Sequence, residues 1–99
     1  MINPRRYKTF KAFFKAWLKS NKLSNRKAGA LFGFSSSSAI PGFVDGRLIP
    51  NREFIDKLLE LCQYSKSGSE YLMTLWVLAH VDAPYNFRCA VLSRMGCGY

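Results

Sequence analysis

The sequence predicts an all-α fold: a compact bundle of about five helices with a short C-terminal tail that is either helical or disordered. Three observations point there. Phe10, Phe13, Phe14, Trp17 and Leu18 recur at i, i+3, i+4, i+7 and i+8, a full apolar face at helical spacing. Capping and turn residues (Ser24, Gly33, Asp45-Gly46, Asn51 and Ser67) cut the rest of the chain into helix-length pieces. The 99 residues suffice for one domain and no more, and a chain of that size buries only about 60–65% of its unfolded surface in one core. The expected organisation is a basic arm over residues 1–6, one domain over 7–81 and a tail over 82–99.

Residues 1–6 read as a loose arm, with Pro4 discouraging helix before it. Such arms either fray or follow phosphate into a minor groove. A helix is expected over residues 7–21, its apolar face opposed by Lys8, Lys11, Lys15, Lys19 and Lys22. A basic amphipathic helix with large aromatics could also lie on a membrane surface. The core reading is preferred because the following segments supply apolar faces to pack against it.

Residues 23–46 read as two short helices joined by a tight turn. Ser24 caps the first, Ala28, Leu31 and Phe32 form its apolar face, and Gly33 ends it in the left-handed conformation. Phe34 plugs the turn. Ile40, Phe43 and Val44 face inward from the second helix, and Asp45-Gly46 closes it. Pro41-Gly42 falls inside that second helix, where an interior proline costs about 3 kcal/mol. A late start, with the cap at Ser37 or Ser38, would bring Pro41 into the first turn, where its missing N–H has no partner to lose.

Asn51 caps the next helix, with Glu53 at its positive end and Phe54, Ile55, Leu58, Leu59, Leu61 and Cys62 as its core face. Ser67-Gly68-Ser69-Glu70 has the form of a capping box for a further helix, apolar almost all round from Tyr71 to Ala79. Such a helix is sandwiched or shared between subunits. Tyr71, Trp76 and Val77, with Tyr85 and Phe87 from the tail, are the expected dimer surface; in the alternative the tail folds back and covers that surface within one chain. His80 stands at a helix end with no partner set for catalysis.

The net charge is +9, and its placement matters more than its size. Residues 1–27 carry Arg5, Arg6, Lys8, Lys11, Lys15, Lys19, Lys22, Arg26 and Lys27 with no acid, while the remainder is neutral overall. So one-sided a field attracts polyanions. The cysteines, Cys62, Cys89 and Cys97, are odd in number and lack a C-x-x-C pair, which argues against a zinc site and a disulfide scaffold. Lysines interrupt any signal-peptide core, and no apolar stretch nears the roughly 18 residues of a membrane span. A cytoplasmic location is therefore expected. No phosphate-binding glycine loop, metal-ligand spacing or carboxylate pair near a histidine is present, so no catalytic residue, metal, cofactor or small-molecule ligand is expected.

The two-helix unit resembles the lambda-repressor-like (Cro/C1, XRE-type) helix-turn-helix family. The residues that carry the resemblance are Leu23-Ser24-Asn25-Arg26, Gly29 where the family favours alanine, Leu31-Phe32-Gly33-Phe34-Ser35 and Asp45-Gly46-Arg47, with continuation through Ile49-Pro50. The likeness spans residues 8–64. It implies a small Cro-like regulator, a repressor in its simplest output, binding double-stranded DNA as a homodimer in a bacterial, phage or mobile-element setting. The implied contacts are Asn25, Arg26, Lys27, Ser35, Ser36, Ser37, Ser38, Arg47 and Arg52.

Two departures weaken base reading. Pro41-Gly42 interrupts the helix that would enter the major groove, in a segment one residue longer than the commonest family spacing. Ser35 to Ser38 also stand where Arg, Lys, Asn or Gln usually make bidentate base contacts. A serine hydroxyl serves donors and acceptors alike, so these four discriminate poorly and serve equally as turn and cap residues. Affinity would rest on phosphate, with modest readout of bases or shape. The alternative is a protein-interaction module that keeps this fold and binds an acidic protein partner.

Overall fold

A computed structural model of the chain describes residues 2–34, 38–81 and 85–94. Among these described residues, six α-helices follow a short 3-10 turn at Pro4–Arg6: α1 (Phe10–Ser20), α2 (Asn25–Leu31), α3 (Ala39–Asp45), α4 (Arg52–Cys62), α5 (Lys66–His80) and α6 (Tyr85–Arg94). No strand occurs among the described residues. The radius of gyration, 13.0 Å, matches the ~13 Å of a compact 100-residue domain.

Local chemistry sets the helix ends. Thr9 Oγ1 accepts from Ala12 N at 3.3 Å, which starts α1 at Phe10 rather than at residue 7. Ser24 Oγ accepts from Lys27 N at 3.2 Å and Asn51 Oδ1 from Phe54 N at 2.9 Å, as their positions before α2 and α4 predict. The expected capping box at Ser67 is not formed. Ser65 caps α5 by accepting from Gly68 N at 3.4 Å, and Ser67, now inside the first turn, accepts from Arg5 Nη2 at 2.6 Å.

The end of α2 is a complete Schellman motif. Phe34 N donates to Gly29 O (2.8 Å), Gly33 N donates to Ala30 O (3.1 Å), and Gly33 takes φ +78°. The end of α1 repeats the arrangement without glycine: Leu23 N donates to Leu18 O, Lys22 N to Lys19 O, and Lys22 sits at φ +55°. A non-glycine residue there carries a Cβ penalty of about 1 kcal/mol. Lys22→Gly is therefore expected to raise the unfolding free energy by up to about 1 kcal/mol, read as a higher urea midpoint at an unchanged slope.

Helix α3 starts late. Its first residue is Ala39, Pro41 is its third, and the proline removes no intrahelical bond there. Ser38 precedes it with helical backbone angles and makes no side-chain cap bond; Ser35, Ser36 and Ser37 lie outside the described residues. Gly46 ends α3 at φ +82°, and Leu48 folds back over Gly42, its amide donating to Gly42 O at 3.1 Å.

The core is aromatic. Phe14 is fully buried at its centre, its ring centroid 5.5 Å from Phe54, 5.9 Å from Phe10, 6.0 Å from Trp17, 6.3 Å from Phe43 and 6.4 Å from Phe32. Phe32 stacks on Phe54 at 4.1 Å, and Phe34, half-buried rather than a sealed plug, lies 6.0 Å from Phe54. Leu31, expected on the inner face of α2, is exposed. Ala28, Gly29 and Phe32 define the buried direction of that helix, and Leu31 falls about a quarter-turn beyond it.

Both described ends, residues 2–7 and α6, close onto the bundle, and two expectations are corrected. The arm is docked rather than loose: Pro4 is buried, Tyr64 Oη donates to Ile2 O at 2.6 Å and Tyr71 Oη donates to Tyr7 O at 2.8 Å. Tyr71, assigned to a dimer surface from sequence, is 0% exposed. Its ring is core and its hydroxyl holds the arm, so it is removed from that surface. The described part of the tail is helical and folds back on α5, with Leu92 fully buried and Arg88 8% exposed, its Nη1 donating to Lys8 O at 3.1 Å. No helix among the described residues is long and apolar enough to cross a membrane.

Candidate nucleic-acid interface

Helix α2 turns Ala28 and Gly29 into the core, which leaves Asn25, Arg26 and Lys27 exposed in its first turn. Helix α3, in contact with both α1 and α2, buries Ile40, Gly42 and Phe43 and leaves Ser38 and Asp45 exposed, with Ala39, Pro41 and Val44 half-buried. Arg47 follows the end of α3, and Arg52 is the first residue of α4. The proposed contact residues thus stand at the start of α2, beyond the end of α3 and at the start of α4. Along α1, Lys11, Lys15 and Lys19 are exposed at successive turns, as is Lys22 just beyond it. The stem of Lys11 lies against Gly46, its Cδ 2.9 Å from where a Cβ would stand, so the lysine row meets the C-terminal end of α3.

Acidic neighbours temper two of the cations. Arg47 Nη2 is 3.4 Å from Asp45 Oδ2, and Arg52 Nε is 2.9 Å from Asp56 Oδ1 one turn along α4. Both pairs are exposed, and such pairs are worth about 0–1 kcal/mol. A phosphate can displace either acid. Asp45 is the only charged side chain in α3, and it repels phosphate at the point where a reading helix would end. The Arg52–Asp56 pair follows from i,i+4 spacing on one helix, whereas the turn after α3 brings Arg47 to Asp45.

A second exposed feature is apolar. Val77 is 49% exposed, Val81 one turn along is 62% exposed, and Phe87 on α6 is 55% exposed. Trp76 is half-buried, its Nε1 donating to Pro50 O at 2.7 Å and its ring edge-on to His80 at 4.8 Å. Nothing is described of the Tyr85 side chain. Of the expected dimer residues, Val77 and Phe87 are therefore outward. Val81 joins them, missed because it falls after the last residue of the apolar run.

Among the described residues no group of His, Cys, Asp and Glu is placed to hold a metal ion. Cys62 is buried, and burial pushes its thiol up from 9.0 to about 11, with bonds to Tyr64 and Trp17 opposing in part. Burial first, and then the neighbouring Cys62, raises the Tyr64 hydroxyl well above its usual value. Such a thiol is a packing group, not a nucleophile. The folded chain keeps protons that the unfolded chain loses, so these groups contribute fully below the unfolded value. Stability is therefore expected to fall as pH rises from about 9 through about 11. Urea midpoints across that range check this, and Cys62→Ala should flatten the slope.

Compared with protein-family models, with curated proteins and with solved structures, the chain matches none.

Proposed function

We propose that this chain is a small cytoplasmic DNA-binding regulator of the lambda-repressor-like helix-turn-helix kind, with α2 and α3 as the two-helix unit. The observation that carries the reading is the pairing of that unit with its charge. A Schellman turn leads from α2 toward a late-starting α3, Asn25, Arg26 and Lys27 are exposed on α2, and residues 1–27 contain no acid. The lysines of α1 with Arg26, Lys27, Arg47 and Arg52 hold phosphate, while the Ser35 to Ser38 region approaches the major groove. Phosphate contacts position the protein and supply most of the affinity. The Val77, Val81 and Phe87 surface pairs two copies on two half-sites, and occupancy of an operator represses.

The test is duplex binding at two salt concentrations, with genomic fragments against one fixed random duplex. The reading requires affinity that falls with salt at roughly −0.9 in log K per log salt for each phosphate neutralised. Retention of some fragments far above the random duplex marks sequence reading.

One observation favours a second reading. Helix α3 contains no Arg, Lys, Asn or Gln, and its one charged side chain is acidic. A basic face beside so little base-reading chemistry also fits an acidic protein partner. Absence of duplex binding even at low salt selects that alternative.

A further inference from the structure

We propose that the outer face of α1 is a duplex-binding surface in its own right. Lys11, Lys15, Lys19 and Lys22 form a track for one phosphate strand of double-stranded DNA, and the track holds DNA of any sequence without help from α2 and α3. It rests on the duplex part of the functional reading, not on base reading.

Lys11, Lys15 and Lys19 stand at i, i+4 and i+8 of α1, so they lie about 6 Å apart along the helix axis, in a row inclined by about 26° to it. Lys22 continues the row two residues past the end of the helix. All four are exposed, and none is in an ion pair among the described residues. Lys8 is half-buried and is not part of the row. Successive phosphates of one DNA strand advance about 3.4 Å along the duplex, so a row roughly aligned with it meets about every second phosphate. Arg47 and Arg52 must each give up a carboxylate before they meet phosphate. The row has no carboxylate to give up, so it takes phosphate first.

Lys22 adds an independent observation. Its φ is +55°, and its amide closes the turn by donating to Lys19 O at 3.1 Å. Glycine would make the same backbone bond with less strain. What lysine supplies there is a fourth cation at the end of the row.

The occupant is a phosphate strand rather than a lipid surface. An amphipathic helix binds a membrane by burying its apolar face among the lipids. The apolar face of α1, from Phe10 to Leu18, is already buried in the core, and no large apolar side chain of residues 8–27 is exposed. Charge alone remains, set in a narrow line.

The experiment follows fluorescence anisotropy of one fixed random duplex with the full chain across a salt series. Lys11→Gln, Lys15→Gln and Lys19→Gln together, at exposed sites where glutamine suits a helix, should weaken binding at least about thirtyfold and make the salt slope shallower by roughly 2.7. Genomic fragments should lose the same factor, because phosphate contacts read no base. Lys22→Gly should weaken binding several-fold while raising the unfolding midpoint, so that loss is no folding defect. Alanine at Arg26, Lys27 and Arg47 should leave salt-dependent binding of the random duplex, which the three glutamines then remove. If the glutamine variant binds as the wild type does while the alanine variant loses all binding, the track is overturned and the helix-turn-helix reading stands. Loss in the glutamine variant, with no genomic fragment favoured over the random duplex, supports the track and removes base reading instead. If phosphatidylserine vesicles hold the wild type through these lysines and the duplex does not bind, the track is overturned in favour of a lipid surface.

Discussion

Replacing Arg26, Lys27 and Arg47 together with alanine is expected to reduce duplex affinity at least about a hundredfold at moderate salt, and to make the salt slope shallower by roughly 2.7. All three side chains are exposed. Only Arg47 has a described ion pair, the solvent-exposed 3.4 Å contact with Asp45, so the fold loses little. The unfolding midpoint should move by only a few degrees, given that surface changes usually fall within about ±0.5 kcal/mol. Fluorescence anisotropy at several salt concentrations, with calorimetry on the same samples, separates lost binding from lost structure. A variant that binds as the wild type does would remove these three residues from the phosphate contacts and leave them to the α1 lysines and Arg52.

The largest effect on stability should come from Phe14→Ala. Phe14 is fully buried and its ring meets those of Phe10, Trp17, Phe32, Phe43 and Phe54, which come from α1, the α2 end, α3 and α4. Truncating a buried phenylalanine costs about 3–5 kcal/mol against a total of about 5–15 for a domain of this kind. The variant should unfold at a far lower urea midpoint and lose much of its native population at 37 °C. Phe14→Leu, which keeps most of the volume, should cost clearly less. Because α2 and α3 both rest on this ring cluster, duplex binding should fall in proportion to the folded fraction and recover at lower temperature.

Periodicity and caps made most of the helical framework legible. Ser24, Asn51, Gly33 and Gly46 act where their chemistry places them, and the late start of α3 follows from Pro41, which a longer helix would have made an interior break. Long-range pairing was not legible. Ser65 outcompetes Ser67 as the cap of α5 while Ser67 receives the Arg5 guanidinium, and that contact joins residues far apart in the chain. Tyr71 looked like part of an unshared apolar surface because nothing local shows the arm returning to accept its hydroxyl. Helix α6 has no clear apolar face in its sequence, so the burial of Leu92 and Arg88 emerges only once α5 and Lys8 are in position. For the proposed interface, the charged residues stood out in the sequence, and Asp56 is the i+4 neighbour of Arg52 on α4, whereas the turn that brings Asp45 to Arg47 did not show.

The measurement that bears most directly on the function is amide-resonance mapping of the full chain during titration with a short duplex. Duplex binding through α2 and α3 requires the largest shifts over residues 24–31 and 38–48, with smaller ones along the lysine face of α1 and little change at the ends of α5 and α6. Shifts confined to α5 and α6, or none at low salt, would contradict that binding mode and leave the basic face to an acidic protein partner.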